Sequence, residues 1–126
     1  MTRILVVEDN EANRELLCDW LEAEGYEVHC VPDLAGAFAA AKTFLPEAVL
    51  LDIQLGNEDG LEFAAWLRRQ PERAMIPVIA VTAQAMVTQK ERILVSGCNA
   101  CISKPVDFQL LRAELLRWLA ASRDSF

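Results

Sequence analysis

Short apolar runs that stop abruptly on a polar residue recur along this chain. Four of them have the length and the sharp end of a buried strand: residues 3–7 before Glu8 and Asp9, 48–51 before Asp52, 78–81 before Thr82, and 100–103 before Lys104. Residues 26–31 alternate apolar and polar side chains and predict one more strand. The pattern therefore predicts five strands, and four of them are followed directly by a residue with a charged or hydroxyl side chain.

Between the predicted strands, apolar residues recur at helical spacing, as Leu17 and Leu21 do after the first strand. Residues 85–96 predict the fourth of five helices, which is more polar than the others. Residues 53–58 are predicted to form a loop. The other helices are predicted to begin at polar residues that can cap an N-terminus: Asn10, Asp33, Asp59 (with Glu62 three residues later) and Asp107.

Five strands that alternate with five helices indicate an α/β fold whose parallel sheet is covered by helices on both faces. Right-handed crossovers leave few arrangements of such a sheet. We predict a flavodoxin-like (βα)5 doubly wound parallel sheet with strand order 2-1-3-4-5, in a single domain over residues 1–126. In this order the first and third strands are neighbours, so Glu8 and Asp9 come next to Asp52.

Three carboxylates at one sheet edge repel one another. At a separation of about 5 Å and an effective dielectric near 20, each pair costs about 3 kcal/mol, so the edge needs a compensating cation. Mg²⁺ prefers oxygen ligands and usually lies between one or two carboxylates and a phosphate. The sequence therefore predicts a metal-assisted phosphoryl site, with Lys104 as a second positive charge.

The composition narrows the class of partner. The formal net charge of −7 argues against a protein that binds the nucleic-acid backbone, which presents a basic face. Apolar runs are too short to span a membrane, and Met1 leads into the first strand without a signal peptide. We therefore expect a cytoplasmic protein with no direct contact to nucleic acid or membrane.

The four cysteines, at positions 18, 30, 98 and 101, suit a reducing compartment as small apolar residues. Cys98 and Cys101 have C-x-x-C spacing, but they lie between a helix-ending Gly97 and a strand, whereas a redox pair of the thioredoxin type opens a helix. The single histidine, His29, is isolated, which argues against a zinc site. We therefore expect four free thiols.

Five short segments occur in a fixed order on these strand ends: residues 6–10 (Val-Val-Glu-Asp-Asn), 51–55 (Leu-Asp-Ile-Gln-Leu), 59–60 (Asp-Gly), 81–83 (Val-Thr-Ala) and 103–105 (Ser-Lys-Pro). Each segment is common by itself. Together, in this order, they resemble the CheY-like receiver domain of two-component response regulators, and the resemblance covers essentially the whole chain.

The resemblance implies that Asp52 is a phosphoacceptor, which takes a phosphoryl group from a phosphohistidine on a sensor histidine kinase or a histidine phosphotransfer protein. It implies these roles for the other site residues: Asp9, Asp52 and the backbone carbonyl of Gln54 as ligands of Mg²⁺ or Mn²⁺, Glu8 acting mostly through a water, and Thr82 and Lys104 contacting the phosphoryl oxygens. Receivers then signal to a downstream protein, sometimes as a phosphorylation-dependent homodimer. They catalyse only their own phosphorylation and slow dephosphorylation.

This sequence departs from the family pattern at Cys101, where receivers have an aromatic residue that turns inward with the residue at the Thr82 position. Gln54 and Gln84 occupy positions that tune hydrolysis of the acyl phosphate in the family. Because only residues 120–126 follow the last helix, we expect no output domain in this chain, and thus a stand-alone regulator or the receiver of a hybrid histidine kinase. Residues expected to meet the phosphodonor are Ala12, Asn13, Glu15, Leu16 and Val106.

Two other function classes share parts of this pattern. An aspartyl-phosphate phosphatase of the haloacid dehalogenase type would have a D-x-D motif on its first strand, whereas Asp52 is followed by Ile53 and Gln54. A nucleotide- or flavin-binding module would need a glycine-rich phosphate loop, and the sequence has neither common form. A receiver that signals without phosphorylation is a further alternative, although such chains normally lose part of the acidic set.

Overall fold

Five parallel strands make up the central sheet in the computed structural model, which describes residues 1–83 and 87–123. The strands of this sheet are β1 (Arg3–Val7), β2 (Glu27–Val31), β3 (Ala48–Asp52), β6 (Val78–Thr82) and β7 (Ala100–Ser103). Two short strands, β4 (Gln54–Leu55) and β5 (Glu58–Asp59), form a separate two-stranded sheet. The helices are α1 (Glu11–Ala23), α2 (Leu34–Thr43), α3 (Leu61–Arg68), α4 (Val87–Val95) and α5 (Phe108–Arg123). The sheet order is β2-β1-β3-β6-β7. Because β6 and β7 are the fourth and fifth strands of this sheet, the predicted order 2-1-3-4-5 is confirmed.

Both faces of the sheet are buried. Side chains of successive residues in a strand point to opposite faces. On one face, Leu5 and Val7 pack in a cluster with residues of α2 and α3, including Phe63. On the other face, Ile4 packs with residues of α1 and α5, including Leu111. This double coverage explains why the central strands are continuous apolar runs instead of alternating ones.

The strand register brings the polar strand ends to one edge of the sheet. Across neighbouring strands, Val7 pairs with Leu51, Asp52 with Val81, and Thr82 with Ser103. The residues that follow β1 and β7 in the chain therefore leave the sheet at the edge where β3 and β6 also end.

Three of the four predicted helix caps are confirmed. The side-chain oxygens accept backbone N–H groups as follows: Asn10 from Asn13 at 3.0 Å, Asp33 from Gly36 at 2.8 Å, and Asp107 from Gln109 at 3.0 Å. The helix predicted over residues 85–96 corresponds to α4, and Ala85 lies outside the described residues. Among the helices in the described ranges, none has the length and apolar character that crossing a membrane requires.

Residues 53–58, predicted as a loop, contain a short hairpin instead. Strand β4 pairs antiparallel with β5, and Gly56 has φ 62° at the first loop position, as a type II′ turn requires. Because Asp59 belongs to β5, its predicted role as the α3 cap is wrong. Gly60 holds the N-cap position without a side-chain cap, and Asp59 Oδ1 accepts the Leu61 N–H at 3.0 Å.

The expectation of four free thiols is wrong for one pair. Cys18 on α1 and Cys30 on β2 form a disulfide, with Cα atoms 6.9 Å apart and a sequence separation of 12. Both side chains are half-buried between α1 and the edge strand. The sequence does not show this pairing because it depends on the way α1 packs over β2.

Opening this disulfide should destabilise the fold. A cross-link that closes a loop of this length is worth about 3 kcal/mol, mainly through the entropy of the unfolded chain. We expect urea unfolding in the presence of a phosphine reductant to show this loss. A Cys18→Ala/Cys30→Ala variant should be insensitive to the reductant. Titration of more than two thiols in the unreduced, denatured chain would contradict the disulfide.

The other two cysteines are free, as predicted. Cys98 follows Gly97, which has φ 108°, and is buried, whereas Cys101 on β7 is half-buried. Burial raises the pKa of the Cys98 thiol to about 12, against an opposing attraction to Arg68. The thiol therefore remains protonated in the folded chain over the physiological range.

This raised pKa makes stability depend on pH in the alkaline range. The unfolded thiol ionises near its ordinary pKa of 9.0, and the folded one at about 12. The stabilising contribution of the neutral thiol is thus complete below pH 9 and is lost as the pH rises toward 12. Between pH 8 and pH 10 we expect the free energy of unfolding to fall about 1 kcal/mol more in the parent than in Cys98→Ala. Equal losses in urea titrations of the two proteins would contradict this assignment.

Candidate functional site

Three carboxylates from the ends of β1 and β3 lie together at the carboxyl edge of the sheet. One oxygen from each of Glu8, Asp9 and Asp52 lies within 4.8 Å of the other two. Glu8 and Asp52 are buried, whereas Asp9 is exposed. The strand order thus brings together the acidic residues that the sequence places after two separate strands.

The ammonium group of Lys104 lies between two of these carboxylates. Its Nζ donates to Glu8 Oε1 at 2.8 Å and to Asp52 Oδ2 at 2.9 Å. Partial burial lowers the pKa of Lys104, but the hydrogen bonds and attraction of the two carboxylates together outweigh this effect and raise the pKa above its ordinary value. Lys104 is therefore charged at neutral pH, and three carboxylates less one ammonium leave the cluster formally negative.

Each carboxylate is also oriented by one backbone N–H group. The pairs are Asn10 N–H to Glu8 Oε2 at 3.2 Å, Gln54 N–H to Asp52 Oδ1 at 3.0 Å, and Gly56 N–H to Asp9 Oδ2 at 3.0 Å. The last bond crosses from the β4–β5 hairpin to the loop after β1. The hairpin that the sequence did not predict therefore helps to orient the exposed carboxylate.

The backbone carbonyl of Gln54 faces the same side as the acidic cluster. Gly60 N–H donates to the Ile53 carbonyl at 2.9 Å, so Gln54 and Asp59 form the next, non-hydrogen-bonded pair of the antiparallel ladder. The N–H and carbonyl of such a residue both point away from the partner strand. Since the Gln54 N–H bonds to Asp52 Oδ1, the ladder geometry places the carbonyl on the same side of the hairpin as the Asp52 carboxylate.

Thr82 is the last residue of β6 and is buried. It follows Val81, which pairs with Asp52 in the sheet. The Thr82 carbonyl accepts the Lys104 N–H at 2.8 Å. This bond links the end of β6 to the residue whose ammonium group reaches the carboxylates.

This arrangement suits a hard divalent cation together with a phosphoryl group. Carboxylate and carbonyl oxygens are the protein ligands that Mg²⁺ takes, and it usually shares them with phosphate and water. A cation and an ammonium group aimed at one point can stabilise charge that develops on phosphoryl oxygens. The site therefore offers oxygen ligands for such a cation and places one ammonium group, that of Lys104, beside the Asp52 carboxylate.

A family model described as "Response regulator receiver domain" matches residues 4–116. The chain belongs to this family. Receiver domains are phosphoacceptor domains of two-component signalling; they bind Mg²⁺ and interact with histidine kinases and downstream targets. Among its relatives, the polar-differentiation response regulator DivK of Brucella anthropi is 46% identical over 103 residues, covering 82% of this chain and 84% of that protein.

Solved receiver structures have the same fold. A CheY-like receiver domain protein from Methanospirillum hungatei superposes with a TM-score of 0.91 at 27% identity, covering 100% of this receiver and 99% of that chain. The receiver domain of a sensor histidine kinase from Pseudomonas aeruginosa gives a TM-score of 0.86 at 33% identity, covering 94% and 98%. That structure has a magnesium ion coordinated in its active-site cleft.

Two residues important for the geometry of this receiver site escaped sequence analysis. Arg14 reaches back from α1 to the loop after β1, and no motif indicated this contact. Gly60 lies so close to β3 that a Cβ would overlap the Asp52 carbonyl oxygen. The Asp-Gly pair is one of the segments that carry the resemblance, but the sequence assigns a role, helix capping, only to its aspartate. Gln84, expected to influence hydrolysis, lies outside the described residues.

Proposed function

We propose that Asp52 of this receiver accepts a phosphoryl group from a phosphohistidine in a divalent-cation-dependent reaction. The observation that carries the proposal is the double hydrogen bond from Lys104 Nζ to Asp52 and Glu8 beside Asp9. A buried carboxylate with this environment is held in place by an ammonium group and a backbone N–H. We propose that Asp52 acts as the nucleophile in this environment.

In the proposed step, an Asp52 carboxylate oxygen attacks phosphorus and forms a P–O bond. The P–N bond to the histidine ring breaks, and its electron pair stays with the imidazole. Lys104 then contacts the transferred phosphoryl oxygens, and the Thr82 hydroxyl is proposed as a second contact. Hydrolysis by water later returns the carboxylate and inorganic phosphate.

The oxygen ligands present fit a Mg²⁺ or Mn²⁺ ion. Asp9, Asp52 and the Gln54 carbonyl are the proposed direct ligands, and Glu8, which is hydrogen-bonded to Lys104, is proposed to act through water. The cation would supply positive charge that neutralises the acidic cluster and the phosphoryl oxygens. The charge remaining on the cluster after pairing with Lys104 supports this assignment.

The surface beside the site suits docking of a helical phosphodonor protein. A groove of about 580 Å³ runs from Glu8 and Lys104 past Asn13, Leu16 and Val106. Leu16 is 56% exposed. Since Asn13, Leu16 and Val106 are among the residues expected to meet the donor, we propose this groove as the docking face for a histidine kinase or histidine phosphotransfer protein.

The cytoplasmic location and the phosphorylation-dependent homodimer stay predictions.

Intact mass after incubation with Mg²⁺ and acetyl phosphate tests the proposed function. We expect a single added phosphoryl group that is released by mild base, as an acyl phosphate is. We also expect no catalytic turnover of small phosphate esters, because a receiver takes up one phosphoryl group and releases it only by slow hydrolysis of its own acyl phosphate. Turnover of esters would instead favour a phosphatase. If neither phosphate nor beryllofluoride binds, the chain does not act as a phosphoacceptor.

A further inference from the structure

The guanidinium of Arg14 bonds to the backbone of the two residues that bear the first carboxylates. Arg14 is the fourth residue of α1, and its Nη1 donates to the Glu8 carbonyl at 2.9 Å and approaches the Asp9 carbonyl at 3.4 Å. The side chain is half-buried. A single planar group thus contacts two successive carbonyl oxygens where the chain leaves β1.

The neighbouring bonds show why this contact matters for Asp9. Its carboxylate is exposed, and among the described residues the Gly56 N–H donates to it at 3.0 Å. Glu8, by contrast, is held through Lys104, Asn10 N–H and its own N–H to Val31. Arg14 therefore acts mainly on the Glu8 carbonyl, which belongs to the peptide group that joins Glu8 to Asp9, and more weakly on the Asp9 carbonyl.

We propose that Arg14 is a positioning residue for the divalent-cation site: it fixes the backbone of Glu8 and Asp9 so that the Asp9 carboxylate is preorganised for the ion. This inference rests on the proposed function, because it assumes that the cluster binds a cation. Groups that orient metal ligands from outside the coordination sphere commonly change metal affinity by about 10- to 100-fold when removed. Arg14 is the only lysine or arginine in α1, so no other basic side chain of that helix can replace it.

Removing Arg14 would change both the backbone geometry and the charge of the cation site. Both contacts are made by Nη1 of a rigid, planar guanidinium, whereas an ammonium is a compact charge on a flexible stem. If a positive charge near the cluster were the main effect, removing Arg14 would leave the site more negative and strengthen cation binding. If backbone positioning dominates, removing Arg14 weakens cation binding. The two effects have opposite signs.

Direct binding of Mn²⁺, followed by loss of the free-ion electron paramagnetic resonance signal, tests the proposal on the full chain. We expect Arg14→Met to weaken Mn²⁺ binding by about tenfold, with Arg14→Lys between Arg14→Met and the parent. Lys42→Met removes a positive charge from an exposed position on α2 and should change the affinity less than about twofold. Urea unfolding establishes that each variant is folded, and Arg14→Gln replaces Arg14→Met if the latter does not fold.

The Mg²⁺ dependence of phosphorylation is a second measurement, and a purely structural role of Arg14 would not shift it selectively. With acetyl phosphate, the Mg²⁺ concentration for half-maximal rate should rise about tenfold in Arg14→Met, while the rate at saturating Mg²⁺ stays within about twofold of the parent. Equal or tighter Mn²⁺ binding by folded Arg14→Met overturns the inference while leaving the proposed function intact. Failure of the parent itself to bind Mn²⁺ overturns both.

Discussion

Asp52→Asn is expected to abolish phosphate uptake by this receiver. A carboxamide oxygen is a poor nucleophile and cannot form a stable acyl phosphate, so the rate with acetyl phosphate should fall by at least about 1000-fold. The measurement is the fraction of phosphorylated chain by intact mass after a time course with Mg²⁺. Mild base should remove the added mass from the parent.

Asp33→Asn is a matched control for this substitution. It makes the same carboxylate-to-carboxamide change at the cap of α2, where Asp33 Oδ1 accepts the Gly36 N–H, and asparagine caps helices equally well. The control should take up phosphate at the rate of the parent. A base-labile adduct of full stoichiometry on Asp52→Asn would show that another residue is the phosphoacceptor.

Lys104→Met is expected to cause the largest loss of stability among substitutions at the site. It leaves the buried Glu8 and Asp52 carboxylates without the ammonium group that lies between them. Removing one partner of a buried ion pair costs about 3–5 kcal/mol; because the Lys104 side chain is 22% exposed, we expect about 3 kcal/mol. Urea unfolding in the presence of a chelator measures this loss.

Two further measurements establish the cause of that loss. Millimolar Mg²⁺ should recover part of the stability, since a bound cation would supply the missing positive charge. The double variant Asp52→Asn/Lys104→Met should be more stable than the sum of the single effects predicts, because it removes the carboxylate together with its partner. A loss below about 1 kcal/mol, similar to that of Lys42→Met, would mean that the Lys104 contacts contribute little.

The acidic part of the site is predictable from the sequence because its physical signal is local. A buried strand that ends on a carboxylate is visible as an apolar run followed by Asp52, and the same holds for Glu8 and Asp9 after β1. Alternation of strands and helices then restricts the sheet order, and that order makes β1 and β3 neighbours. The carbonyl of Gln54 was implied by the resemblance, and the hairpin ladder explains why it faces the carboxylates.

The errors arose where local chemistry permits two outcomes. Asp59 before an apolar helix is a good capping residue, yet pairing with Gln54 draws it into a hairpin, and Gly60 takes the N-cap position of α3. Cys18 and Cys30 have no spacing that predicts a bond between them. They meet because α1 crosses the edge strand at that point, which depends on how a whole helix packs.

The sequence by itself determined the fold class, the edge of the sheet that carries the chemistry and the identity of its acidic and basic residues, because apolar periodicity and strand-end polarity are encoded residue by residue. Only the tertiary structure decided that Lys104 lies between Glu8 and Asp52, that Gly56 orients Asp9, and that Arg14 contacts the backbone of Glu8 and Asp9. These contacts join residues from different elements over distances of a few ångströms. Their geometry follows from packing of the whole domain, which no local pattern specifies.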